Sequence, residues 1–100
     1  MNKEVLIEFF ECYFHQDWRE EHKSSIDAVR DFCRNKADKK IQVRNSLQEA
    51  LNLGAVSDDF IHKMEGNFIP SIEGYSVEDW VKMAIKIIDE DLESKASKPF

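Results

Sequence analysis

Lys3-Glu4-Val5-Leu6-Ile7-Glu8-Phe9-Phe10-Glu11-Cys12-Tyr13-Phe14-His15-Gln16-Asp17-Trp18 decides the fold class. Val5, Leu6, Phe9, Phe10, Tyr13 and Phe14 recur at i, i+1, i+4, i+5, i+8 and i+9, a wide apolar stripe at the helical period. Glu4, Glu8 and Glu11 fall on the other side. A strand would bury every second residue, and this pattern fails that test. The spacing predicts a helix from Lys3 to about His15. Trp18 is expected to fold back over its end, with the ring buried and the indole N–H bonded.

The same period continues outward. After a polar loop from Arg19 to Lys23, Ser24 and Ser25 are candidate caps with Asp27 behind them. Ile26, Val29, Phe32 and Cys33 then predict a second helix to about Asn35. Lys36 to Lys40 is too polar for core and reads as a connection. Val43, Leu47, Ala50 and Leu51 predict a third helix from about Lys39 to Leu53, with Gly54 as its stop. Ser57-Asp58-Asp59 reads as a hydroxyl cap and two dipole-compensating carboxylates before a short fourth helix through Phe60, Ile61 and Met64, ended by Gly66-Asn67. Phe68 to Tyr75 is irregular, because Pro70 disfavours helical geometry at Ile69 and Gly74 permits a turn. Its apolar residues, Phe68, Ile69, Ile72 and Tyr75, are expected to pack on the core. Ser76 then caps the clearest helix, with Val77, Trp80, Val81, Ala84, Ile85, Ile88 and Leu92 in phase to Ser94. Lys95 to Phe100 is expected to be a frayed tail. The sum is an all-α, compact, single-domain bundle of five to six helices spanning residues 1–100.

Composition agrees. One hundred residues make one domain. Only 3 Gly and 2 Pro leave too few turns for a sandwich or barrel. The N-terminus carries no basic region followed by an apolar stretch, and apolar runs do not exceed three residues, so neither a leader nor a membrane span is expected. Cys12 and Cys33 are too few for a disulfide scaffold. They read as free, buried thiols in a reducing cytoplasm.

The net charge of −6 is unevenly spread. Residues 1–21 carry six acids and two bases, 22–48 three acids and seven bases, and 49–93 eleven acids and three bases. Two acidic blocks around a basic middle would repel a phosphate backbone, which argues against direct nucleic-acid binding and favours a basic protein partner.

Chemistry is sought and not found. Glu11 and His15 share a helix face, with Asp17, Glu21 and His22 near, but only His62 lies elsewhere. The chain has no Glu-x-x-His for a di-iron bundle site. There is no Gly-x-Ser-x-Gly, no Cys-x-x-Cys and no glycine-rich phosphate loop. Asp58-Asp59, Glu78-Asp79 and Asp89-Glu90-Asp91 read as helix-start charges or a solvated face. No catalytic residue, metal or cofactor is expected.

Two separated sets of residues carry a resemblance. The first is Tyr13-Phe14-His15-Gln16-Asp17-Trp18 followed by Asp27-Ala28-Val29-x-x-Phe32. The second is Phe68-x-Pro70-x-x-x-Gly74-x-Ser76-x-x-x-Trp80-Val81. In this order they resemble the immunity proteins of contact-dependent growth inhibition (CDI), of the CdiI type. The resemblance implies a small helical cytoplasmic protein, not an enzyme. Such a protein neutralises the C-terminal toxin domain of a surface-displayed exoprotein delivered by neighbouring cells. Several such toxins are RNases, so the implied partner is a nuclease domain with a basic cleft, held by a monomer in a 1:1 heterodimer.

The residues of the two sets (Tyr13, Phe14, His15, Gln16, Asp17, Trp18, Pro70, Gly74, Ser76 and Trp80) are expected to be structural, since the rings are too apolar to be spent on one partner. Toxin contacts are expected from exposed acids: Glu20, Glu21, Asp58, Asp59, Glu65, Glu73 and Asp79. The basic segment from Lys23 to Arg44 has no place in the family pattern and reads as a solvated face or a counterpart to acidic toxin patches. The competing reading is an intracellular helical adaptor for a basic signalling or transcription protein.

Overall fold

The first helix, α1 (Lys3–Tyr13), begins where the Asn2 side chain accepts the Val5 N–H at 3.2 Å. It ends two residues earlier than the periodicity predicts, at the Phe14 cap. The computed structural model describes residues 2–96. Within them lie α1, α2 (Trp18–Glu21), α3 (Ser25–Phe32), α4 (Ala37–Asn52), α5 (Phe60–Lys63), a 3-10 turn (Pro70–Glu73) and α6 (Val77–Ala96), with no strand. The all-α expectation is met, with six α-helices.

α2 is the element the sequence reading missed. The stretch expected to be a loop closes one helical turn, because the Trp18 ring is buried and the His22 N–H reaches the Trp18 carbonyl at 2.9 Å. α3 starts as predicted, with the Ser24 hydroxyl accepting the Asp27 N–H. α4 begins at Ala37 rather than Lys39, which puts the Asp38 carboxylate in the first turn. The polar connection is therefore corrected. Lys40 is 2% exposed, its ammonium donating to Asp91 at 2.6 Å and to the Cys33 carbonyl at the end of α3 at 3.2 Å. α4 closes on Gly54, where Ala55 N–H bonds Ala50 carbonyl and Gly54 N–H bonds Leu51 carbonyl.

α5 is shorter than expected. Residues 58 and 59 form a turn, and Ser57 does not cap the helix but donates its hydroxyl to Asp59 at 2.5 Å. The helix ends at Lys63, three residues before Gly66. Glu65 takes the left-handed position (φ 68°), with Glu65 N–H on His62 carbonyl and Gly66 N–H on Ile61 carbonyl. Gly66 is needed for a different reason: a Cβ there would meet Ile61 Cγ2 at 2.6 Å and Phe10 Cδ1 at 3.2 Å. α6 extends to Ala96, two residues beyond the expected end. The remainder of the expected frayed tail, 97–100, lies outside the described residues.

α1 and α6 each pack against α3 and α4, and the contact between α4 and α6 is the most extensive. The radius of gyration, 13.0 Å, is that of a 100-residue globule. One core joins all six helices, from Leu6, Phe9 and Phe10 through Val29, Phe32, Val43 and Leu47 to Phe60, Trp80 and Ile88. Cys33 belongs to it, but Cys12 is exposed, because it falls just outside the α1 stripe. Ile69 and Ile72, expected in the core, are 49% and 63% exposed.

Two stability predictions follow from this packing. Trp80→Ala removes a fully buried indole and should cost about 3–5 kcal/mol, read as a lower denaturant midpoint. Glu65→Gly relieves a left-handed glutamate and should stabilise by about 1 kcal/mol. A lower melting temperature for Glu65→Gly would contradict the backbone assignment there.

Candidate functional site

The two halves of the resemblance meet in space. Phe14, Trp18, Phe68 and Trp80 form one aromatic cluster, with centroids 5.3 Å apart for Phe14–Phe68, Phe14–Trp18 and Trp18–Phe68, and 5.2 Å for Phe68–Trp80. Such offset and edge-on pairs add to plain burial. Backbone bonds fasten the same place: Asn67 N–H to Phe14 carbonyl at 2.8 Å, and Trp18 Nε1–H to Asn67 carbonyl at 3.0 Å. Tyr13 is half-buried against Phe32, and its hydroxyl takes the Asn35 amide at 2.8 Å. His15 Nδ1 accepts the Asp17 N–H, so its proton sits on Nε2, 2.8 Å from Glu21 Oε1. Gln16 and Asp17 are exposed.

A second network holds the 3-10 turn. Glu73 accepts Ser25 N–H (3.0 Å) on one oxygen and Ser25 Oγ–H (2.5 Å) on the other, and Ser25 Oγ accepts Trp80 Nε1–H at 2.9 Å. Pro70 opens the turn, Gly74 closes it in the left-handed region (φ 85°), and Ser76 Oγ caps α6 on Asp79 N–H at 3.1 Å. Glu73 thus spends both oxygens inside the molecule and differs from the other acids expected at a partner surface.

Those others are exposed but not all uncommitted. Glu21 faces His15, and Asp59 takes the Ser57 hydroxyl and lies 3.4 Å from Lys63. The Ser57 hydrogen bond, aided by Lys63, holds the Asp59 carboxyl below its ordinary value. Glu20, Asp58, Glu65 and Asp79 are exposed. Asp58 lines a cleft of about 290 Å³ with His62, Phe68, Ile69, Tyr75 and Ser76. Asp79 follows one turn into α6. Trp18, at the head of α2, abuts the Phe68 wall of that cleft. Of the acids expected at a partner surface, the structure places Asp58 in the lining of this depression.

Three of the seven bases in the basic segment pair with acids on other helices. Lys39 bonds Glu8 at 2.7 Å, Lys40 bonds Asp91 at 2.6 Å, and Arg44 grips Asp89 with two nitrogens at 2.9 and 3.3 Å. These pairs stitch α4 to α1 and α6. Asp89 and Asp91, read as solvated, are structural partners. Lys23, Arg30, Arg34 and Lys36 remain exposed.

A family model described as CdiI immunity protein matches residues 2–87. The chain belongs to the CdiI immunity protein family. Membership implies neutralisation of a toxin of a contact-dependent growth inhibition system. Comparison with curated proteins and with solved structures finds no match in either. Among the described residues no helix is long and apolar enough to cross a membrane.

The cleft and its rim were not foreseen. Ile69 is the extended residue before the 3-10 turn and Ile72 lies within it; both are exposed, while Pro70 between them is buried.

The Lys40–Asp91 pair makes a further prediction. Asp91→Ala takes the Asp91 carboxylate from a buried ammonium and should cost roughly 3 kcal/mol, whereas the double variant Lys40→Met/Asp91→Leu, which removes both charges and fills the space, should cost clearly less. Equal losses in the two variants, by chemical denaturation, would contradict this account.

Proposed function

We propose that this chain binds and neutralises the C-terminal toxin domain of a contact-dependent growth inhibition exoprotein in the cytoplasm of the cell that makes it. The toxin domain is an RNase, and the chain occludes its basic substrate cleft as a 1:1 complex. The family match over residues 2–87 carries this reading. The charge distribution supports it. Lys39, Lys40 and Arg44 are consumed by internal pairs, while Glu20, Asp58, Glu65 and Asp79 stay on the surface. Carboxylates so placed can stand in for the phosphate oxygens that an RNase cleft is built to hold.

The role sets the energetics. A lethal toxin must be held at nanomolar concentrations or below, about 12 kcal/mol of binding free energy. It must also be caught fast, and opposite fields raise the encounter rate above that of neutral partners. The chain's own contribution is steric and electrostatic. It needs no bond making, only a rigid surface of the right shape and sign.

Growth rescue tests the reading. The C-terminal domain encoded directly upstream is expressed with and without this chain. Toxicity relieved only in its presence is expected, with cellular RNA degraded when it is absent. Toxicity that the chain fails to relieve overturns the immunity reading in favour of a helical adaptor. Intact RNA in poisoned cells removes the RNase assignment alone.

A further inference from the structure

The cleft between α5 and the segment that follows it has the character of a docking site. Ile69 and Ile72 stand 49% and 63% exposed within four residues, on a turn that cannot fold them away. Glu73 is bonded to Ser25, Gly74 fixes the reversal, and Phe68 is locked into the aromatic cluster. The other large exposed side chains, Ile41 on α4 and Leu53 at its C-cap, lie twelve residues apart, whereas Ile69 lines the cleft and Ile72 follows it on the same turn. A second depression, lined by Arg30, Cys33, Ile87, Glu90, Asp91 and Ser94, mixes both charge signs, and its Asp91 already holds Lys40. The first cleft differs in sign. Among the described residues that line it, Asp58 is an acid and none is a lysine or arginine. Asp58 stands in its wall, with the half-buried Tyr75 ring behind and Asp79 one turn beyond Ser76.

We propose that this cleft is where the toxin domain docks, taking an arginine or lysine of the toxin against Asp58 and an apolar neighbour of that residue against Ile69, with Ile72 beside the cleft on the same turn. The occupant is a basic protein segment, because a carboxylate and an aromatic ring suit a cation with an apolar stem. The two isoleucines supply the desolvated centre that bare charge lacks. Backed by bonded structure, they lose little freedom on binding. This assignment rests on the immunity reading and specifies its surface.

The test uses the full chain and the purified upstream-encoded toxin domain. Ile69→Arg and Asp58→Lys alter exposed side chains of the cleft lining, so thermal melting should move little. Each should weaken binding by roughly 30-fold or more, the scale of an interface hot spot, and abolish growth rescue. Glu11→Lys, the same charge change on the exposed side of α1, should leave affinity within about 3-fold, as a rim charge does. Wild-type affinity in either cleft variant overturns the docking assignment while leaving immunity standing. A wild-type chain that neither binds nor protects removes the immunity reading, and the docking site with it.

Discussion

The indole N–H of Trp80 lies in a site with no exposed surface, and its acceptor is the hydroxyl of Ser25, 2.9 Å away. Left unbonded there, it would cost about 1–3 kcal/mol. The hydroxyl that satisfies it must donate its own proton elsewhere, and Glu73 accepts it. One side chain therefore joins α6, the start of α3 and the 3-10 turn. The carboxylate also takes the Ser25 backbone N–H, one of the donors that every helix start leaves over. On its ring face, Trp80 meets Phe10, Phe14 and Phe68. Polar and aromatic contacts thus fix the same few residues from opposite sides, and the turn carrying Ile69 and Ile72 inherits that rigidity.

Charge organises the other half of the molecule. A basic middle between acidic blocks looks, in one dimension, like a surface of mixed sign. Folding places α4 beside α1 and α6, and three cations of the middle meet three acids of its neighbours. The exposed Lys39–Glu8 pair contributes little to stability, on the order of a few tenths of a kcal/mol. Lys40 differs, because its ammonium is buried and also satisfies a carbonyl at the end of α3. The consequence for a partner is indirect. Internal pairing consumes part of the positive charge that would blunt attraction, and the acids around α2, α5 and the head of α6 face outward.

The helical elements were legible where apolar spacing is regular. Val5 to Phe14 and Val77 to Leu92 each repeat over several turns, and both helices lie where the spacing put them. What escaped depends on contacts between distant residues. α2 is a single turn created by the anchoring of Trp18, and the three polar residues after it cannot announce that. Lys40 was read as solvated because its partner lies 51 positions away. Glu65 took the left-handed position expected of glycine because Gly66 was already required where Ile61 and Phe10 crowd the backbone. The exposure of Ile69 and Ile72 has no signature in hydropathy, since an apolar residue in an irregular segment can face either way.

Burial also divides the labour among residues. Phe14, Trp18, Phe68 and Trp80 are all under 4% exposed, so a docking protein cannot touch enough of them to tell one toxin from another. Replacing any of these rings disturbs the cluster and threatens a domain whose whole stability is on the order of 5–15 kcal/mol. Exposed side chains on the same framework are under no such constraint, because surface changes away from caps and pairs usually shift stability by less than about 0.5 kcal/mol. A fixed aromatic interior beneath a freely variable rim is what a family of inhibitors facing different toxins requires. The rim of the Asp58 cleft meets that condition. Ile69, Ile72, Asp58 and Asp79 can each change while the Ser25–Glu73–Trp80 network beneath them keeps the turn in place.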